Sequence, residues 1–392
     1  MSAETLTILT HDARDGLVWR ESVHALKNLH HPVSAWETDT LSPTNVRRMF
    51  ALPPERSGLA AHPSLFFSVN FHGLDKHGET AAAFREHGVP VAVWCVDNPW
   101  NLLSGLRTDF WKDLRLFVTD PGFIPGLKAH GARYVSFLPL ATDPETFSLP
   151  RTVGGTADGT PPIVFVGRSA FPDKERFFVG QSVPEETLQE ALSRLLTGER
   201  PDFFWWLNAL KGASGDTPLW PGSAARRASL GAEESSLAWR AACLAAAASS
   251  GLTIHGDTGW TEQFSPAQKE PRPRLCPPLD YYTQLAAVYA RAPYSLNMMS
   301  FLLPQGLNQR HFDVWVAGGF CLMDDCPGLE LFPRELTAPV TFNTPSAIPD
   351  LVRHFNKNGI EKQSLAASWR KLILAEHTYA IRMQNMLATI FS

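Results

Sequence analysis

The sequence predicts an α/β protein of two doubly wound domains with parallel sheets, and three observations carry that reading. Its 392 residues exceed one ordinary core and suit two, at roughly 150 residues per domain. Short, wholly apolar runs alternate with helix-like stretches, the pattern of a parallel sheet covered on both faces. A Gly, Thr and Pro-rich stretch at 151–162 (RTVGGTADGTPP) then interrupts the alternation, which starts again beyond it. The expected domains are 1–150 and 151–374, with a C-terminal helix at about 375–392 packing back on the first.

In order, strands are expected at 6–9, 33–36, 65–71, 90–96, 115–119 and 134–138. Helices at 79–87 and 122–130 each run into a glycine, Gly88 or Gly131, the usual helix stop. Past the linker, strands are expected at 163–166, 252–255, 295–297 and 320–323. Helices are expected at 185–195 and 235–249, a surface loop at 212–231, and one long amphipathic helix at 364–391. The run Phe203-Phe204-Trp205-Trp206 reads as the buried face of a helix.

Composition narrows the function. The chain is 44% hydrophobic and 19% charged with a net charge of −4, which gives no nucleic-acid surface and no polybasic patch. Five scattered cysteines read as reduced thiols of a cytoplasmic protein. No signal peptide and no transmembrane segment are expected. Cys321 and Cys326 bracket Met323-Asp324-Asp325, but no further ligands stand at zinc spacing, so no metal site is expected.

Sheets of this kind bind ligands at the carboxyl ends of their strands. The richest such stretch is 281–332. There a strand ends at Asn297, a loop reaches Gln305-Gly306, and a helix is expected from about Leu307, carrying Arg310 and Asp313. A helix start offers free N–H groups to an anion such as a diphosphate. Gly306 permits close backbone approach, Arg310 adds a bidentate contact, and Asp313 is placed to accept ribose hydroxyls. In the first half, Asp97 follows a strand and precedes Asn98-Pro99, so it is the first candidate for a catalytic or acceptor-contacting carboxylate, or else a turn cap. His72 and His11 stand in the same class of position.

These motifs resemble the bacterial glycosyltransferases related to the spore-maturation protein CgeB, whose N-terminal part is a domain of unknown function. The matching residues are VFVGR (164–168), HGDTGW (255–260), Leu296-Asn297, and Gly306 through Arg310, Phe312 and Asp313 to Gly318-Gly319. Further matches are LELF (329–332), Ser68 to Asn70, WCVDNP (94–99), LPLATDPETF (138–147), and His377-Thr378-Tyr379 with Arg382. The resemblance implies a GT-B fold, two Rossmann-like domains facing an interdomain cleft. It also implies a donor site lined by Gly167, Arg168, Gly256, Asn297, Gly306, Leu307, Asn308, Arg310 and Asp313. Lys174 resembles the second phosphate cation of other GT-B enzymes. The family has Glu where Asp313 stands, so the ribose contact would be shorter or water-mediated.

The expected activity is glycosyl transfer from a nucleotide diphosphate sugar, a co-substrate, with no resident cofactor. The acceptor would be a surface glycan, a lipid-linked saccharide or a protein. No Asp-x-Asp pair occurs, which favours a metal-independent site. Two other readings share the plan: a nucleotide-sugar epimerase or hydrolase, and a non-catalytic sugar-nucleotide-binding protein. A NAD-dependent dehydrogenase is disfavoured because no G-x-G-x-x-G follows a strand.

Overall fold

The computed structural model describes residues 5–13, 16–37, 41–57, 59, 61–147, 162–211, 218–264 and 271–392. The expected linker at 151–162 lies, except for Pro162, outside the described residues. Residues 212–217 of the expected surface loop also lie outside them. The chain forms two compact units. The first comprises Met1–Leu140, Pro218–Gly222 and Tyr379–Ser392, and the second Ala141–Thr217 and Ser223–Thr378.

The first unit is built on six parallel strands: β1 (Ile8–His11), β2 (Val33–Trp36), β3 (Leu65–Val69), β4 (Val91–Cys95), β5 (Arg115–Val118) and β6 (Tyr134–Phe137). They stand in the order β2-β1-β3-β4-β5-β6. The central strands β3 (LFFSV) and β4 (VAVWC) are buried at every position, whereas the edges β2 and β6 are partly open. That gradient is why a parallel sheet reads as unbroken apolar runs at its centre. The helix Trp19–Asn28 packs against the C-terminal helix Tyr379–Phe391 within this unit. Arg382 fixes that helix by donating from Nε to the Pro139 and Leu140 carbonyls at 2.9 and 3.3 Å.

The second unit repeats the plan with β7 (Ile163–Val166), β8 (Leu252–His255), β9 (Arg274–Cys276), β10 (Tyr294–Asn297), β11 (Cys321–Asp324) and β12 (Thr341–Phe342). Their order is β12-β11-β10-β7-β8-β9, all parallel. The edge strands β9 and β12 are absent from the sequence reading because three and two residues make no recognisable apolar run. Trp315 stacks on Trp369 at 4.9 Å, joining two helices over the sheet.

Three expectations are corrected. The helix expected at 235–249 spans Ala224–Ala248, taking in much of what reads as a loop, because its Ala, Ser and Gly residues pack a tight helix face. Gly231 is required there: a Cβ would lie 2.1 Å from the Trp206 ring. Trp206 is fully buried, as expected for the aromatic run, and donates to Ser235 Oγ at 2.9 Å. The single C-terminal helix is two, Gly359–Glu376 and Tyr379–Phe391, parted where Thr142 N takes the His377 carbonyl and Thr142 bridges Thr378. Finally β3 stops at Val69, because Asn70 and Phe71 adopt positive φ of 53° and 64°.

The Trp206 contact gives a direct test of packing. Gly231→Ala should lower stability to urea by about 1–3 kcal/mol, the ordinary cost of overfilling a core. Gly359→Ala, where a Cβ meets nothing within 4 Å, should leave it unchanged or slightly raised. Equal stability of Gly231→Ala and the parent would contradict the packing described.

Candidate functional site

Each sheet has one place where successive strands depart in opposite directions, and there the crossover helices leave a crevice at the carboxyl ends. In the second unit it lies between β7 and β10, and in the first between β1 and β3. The residues proposed from sequence cluster at these two points.

At the β7–β10 point, the helix Arg310–Val316 begins three residues later than expected, because Asn308 Oδ1 accepts the Arg310 N–H at 3.1 Å. Gly306 and Leu307 therefore lie in the approach to it, and Leu307 is buried. Arg310 turns its guanidinium over the Phe165 ring, 5.2 Å from the centroid, and donates from Nη1 to the Val166 carbonyl at the end of β7. Its Nε is buried and has no partner. Gly167 makes room for this arrangement, since a Cβ there would sit 2.9 Å from Arg310 Nη1.

Behind Arg310 the polar groups are closed on one another. Asn297 is fully buried; its Oδ1 accepts from Asn308 Nδ2 at 3.0 Å and its Nδ2 lies 3.0 Å from the His311 ring. Burial lowers the His311 pKa to about 3, against a hydrogen bond from the Asn308 backbone, so this ring is neutral. Asp313 has its two oxygens taken by Thr142 Oγ1 at 2.7 Å and Tyr281 Oη at 2.8 Å.

Gly167 and Gly256 bring the ends of β7 and β8 together. A Cβ on Gly256 would lie 2.3 Å from the Gly167 carbonyl, which itself accepts from Trp260 Nε1 at 2.9 Å. Arg168 is exposed, and its carbonyl accepts from Arg240 Nη1 at 3.0 Å. Lys174 is already engaged, with Nζ 2.7 Å from Glu234 Oε1. Asp257, within the quoted HGDTGW run but not singled out, accepts from Ser169 N at 3.1 Å and Ser169 Oγ at 2.5 Å. Glu233 accepts from Phe171 N at 2.7 Å. These contacts hold the segment after β7 in one shape.

At the β1–β3 point stand His11, His72, Asn70 and Asp97, from the ends of β1, β3 and β4. Asn70 donates from Nδ2 to Asp97 Oδ2 at 2.7 Å and accepts from Val96 N at 2.9 Å. The positive φ of Asn70 aims its side chain across to β4, a strain that sequence patterning does not reveal. Asp97 is exposed at the end of β4. Loss of hydration raises its carboxyl above the usual carboxylate range, while Asn70 and the nearby His72 oppose the rise. His11 is buried, its ring 5.5 Å from that of His72 and both its nitrogens without a partner. Burial, then the neighbouring His72, lowers the His11 pKa to about 4.

A cavity of about 960 Å³ opens elsewhere in the second unit, around Arg200, Trp239, Phe332 and Phe342. None of the residues proposed from sequence lines it. No group of three or more His, Cys, Asp or Glu is placed to hold a metal ion among the described residues. Nor is any helix among them long and apolar enough to cross a membrane.

Residues 239–388 match the family model described as Glycosyl transferase-like. The structure is similar to HepE of Anabaena in complex with UDP, at 10% identity over 99% of each chain and a TM-score of 0.54. It is also similar to BGT of T4 phage in complex with its UDP-glucose substrate, at 8% identity over 99% of this chain and 100% of that one, TM-score 0.53. A UDP-forming trehalose-phosphate synthase of Burkholderia xenovorans aligns at 12% identity over 99% of each chain, TM-score 0.50. No curated protein matches the chain. The fold is therefore GT-B, two α/β units on parallel six-stranded sheets, with a glycosyl transferase-like segment at 239–388.

The two neutral histidines make stability depend on pH in a known direction. The unfolded chain protonates a histidine near pH 6.5, whereas the fold resists until about pH 4 at His11 and about pH 3 at His311. Stability is then complete above pH 6.5 and is lost as pH falls towards 4. In urea unfolding between pH 7 and 4.5, His11→Gln should flatten this loss by up to about 1.4 kcal/mol per pH unit. An unchanged slope would contradict a buried, neutral His11.

Proposed function

We propose that this protein is a glycosyltransferase that moves a sugar from a UDP-sugar to a surface glycan, lipid-linked saccharide or protein acceptor, with close kin among the CgeB-related enzymes. The observation that carries the proposal is Arg310, whose buried Nε lacks an acceptor at the β7–β10 switch point. A phosphate oxygen entering beside Gly167 would satisfy that donor and bring a charge-assisted hydrogen bond. Glycines at 167 and 256 let the ends of β7 and β8 and the Arg310 guanidinium pack closely, and the exposed Arg168 adds a second cation.

In this reading the donor site comprises Gly167, Arg168, Gly256, Asn297, Gly306, Leu307, Asn308 and Arg310. Within it, Asn297 and Asn308 also hold the turn before Arg310. Asp313 ties that turn to Thr142 and Tyr281, and Lys174 anchors the segment after β7 to Glu234. As the sugar–phosphate bond breaks, negative charge grows on the departing diphosphate. Fixed guanidinium groups stabilise it more than the ground state, a task that other transferases give to a metal ion. UDP as the leaving group is the reading supported by the UDP and UDP-glucose complexes of the similar structures.

Asp97 is the proposed base towards the acceptor hydroxyl. Its raised carboxyl is a better proton acceptor than an ordinary one, and the Asn70 contact fixes which oxygen is free. His72 stands beside it, and the uncharged His11 backs His72.

Thermal unfolding in EDTA with UDP, GDP, dTDP, ADP and CMP tests the donor site. At ~100 times its dissociation constant UDP should stabilise the fold by about 2.7 kcal/mol, and Arg310→Ala should remove the response. No response to any nucleotide, or an undiminished one in Arg310→Ala, would overturn the donor assignment. Asp97→Asn should keep the UDP response while lowering acceptor-dependent UDP release from UDP-glucose by about 10²–10⁴-fold. Undiminished turnover would remove Asp97 from the chemistry.

A further inference from the structure

A cavity of about 410 Å³ in the first unit lies outside every residue group considered so far. It opens at the carboxyl end of β2, one strand from the switch point, with Trp36 in register with His11 on β1. The helix Pro43–Ala51 and the turn after it build one wall. Asn45, Arg48, Met49 and Leu52 recur at i, i+3, i+4 and i+7, so one helical face is turned to the cavity. Ser42 caps that helix by accepting from Asn45 N at 3.2 Å, and Ser57 Oγ donates to the Met49 carbonyl at 3.2 Å. The second bond folds the following turn back so that Arg56 also lines the cavity.

The lining combines two chemistries. Trp36, Met49 and Leu52 form an apolar floor, and Arg48 and Arg56 are exposed, with guanidinium groups that make no hydrogen bond or ion pair among the described residues. Among the described residues, the lining holds two arginines and one carboxylate, Glu37, a net charge of +1 in a chain whose net charge is −4. A free inorganic anion would use the guanidinium groups but not the floor. A neutral sugar would use the floor but leave both cations unmatched. A pyranose bearing a carboxylate or phosphate uses both, its C–H face on Trp36 and its anion on the paired arginines. The volume lies within the range of small-ligand sites.

We infer that this cavity is a binding subsite for an acidic saccharide residue. Resting on the transferase reading above, it is the place where the acceptor is recognised, and the acceptor is then an anionic glycan. The subsite lies one strand from His11, at the same carboxyl end of the sheet as Asp97, and it selects acceptors by charge.

Isothermal titration of the full chain with glucuronate, mannose 6-phosphate, glucose and inorganic phosphate tests this, with the UDP response measured on the same samples. Both acidic sugars should bind at least about tenfold more tightly than glucose, a difference of ~1.4 kcal/mol, and more tightly than inorganic phosphate. The variant Arg48→Glu/Arg56→Glu should lose that preference while keeping the UDP response, which reports an intact fold. Both arginines are exposed, so the variant folds as the parent does. No saturable binding of either acidic sugar, equal binding of glucose, or a preference surviving in the variant would overturn the subsite. Inorganic phosphate binding as tightly as mannose 6-phosphate would overturn the saccharide assignment. Acidic-sugar binding without any UDP response would leave the subsite standing and sink the donor reading instead.

Discussion

The end of β7 is where the second unit is under most constraint. There the Arg310 guanidinium reaches over Phe165 to the Val166 carbonyl, and only a glycine at 167 leaves space for it. Arg310 is half-buried, but its Nε is enclosed, and the one main-chain carbonyl it meets is taken by Nη1, so that Nε–H has no acceptor. The unsatisfied Nε is therefore a cost in the folded chain, tolerated where an anionic ligand removes it. The surrounding contacts hold that donor in place. Asn308 sets where the Arg310 helix starts, Asn297 and a neutral His311 hold Asn308, and Asp313 links the same turn to Thr142 and Tyr281.

The first unit uses a different device at the corresponding point. Asn70 and Phe71 take left-handed backbone that ordinary side chains avoid, and the result is an amide aimed from the end of β3 at the carboxylate after β4. Backbone strain thus takes the place that a buried charge occupies in the second unit. Beside it, His11 is kept uncharged by burial, and desolvation holds the Asp97 carboxyl above its usual range against the pull of Asn70 and His72.

Much of this was legible in the sequence where its physics is local. Wholly apolar runs such as LFFSV and VAVWC announce central parallel strands, and glycines at 88 and 131 announce helix ends. The candidate residues were found because the carboxyl ends of such strands are where ligands bind. What escaped depends on partners distant in sequence. The break at His377-Thr378 is set by Thr142, the long Ala-rich helix is fixed by Trp206 against Gly231, and the roles of Asp257 and Asn70 rest on Ser169 and Asp97. Edge strands β9 and β12 are too short to leave a pattern. The hydrogen bonds of Asp313 to Thr142 and Tyr281 likewise join residues far apart in sequence and leave no local pattern.

The proposed donor crevice lies at the switch point beside the unsatisfied guanidinium, although a cavity of about 960 Å³ lies elsewhere in the same unit. Backbone hydrogen exchange with and without UDP separates the two directly. The account predicts that UDP slows exchange at 167–169, 256–260 and 306–313, around Gly167, Gly256 and Arg310. Protection confined instead to the segments around Arg200, Cys326 and Phe342, with none near Arg310, would contradict it.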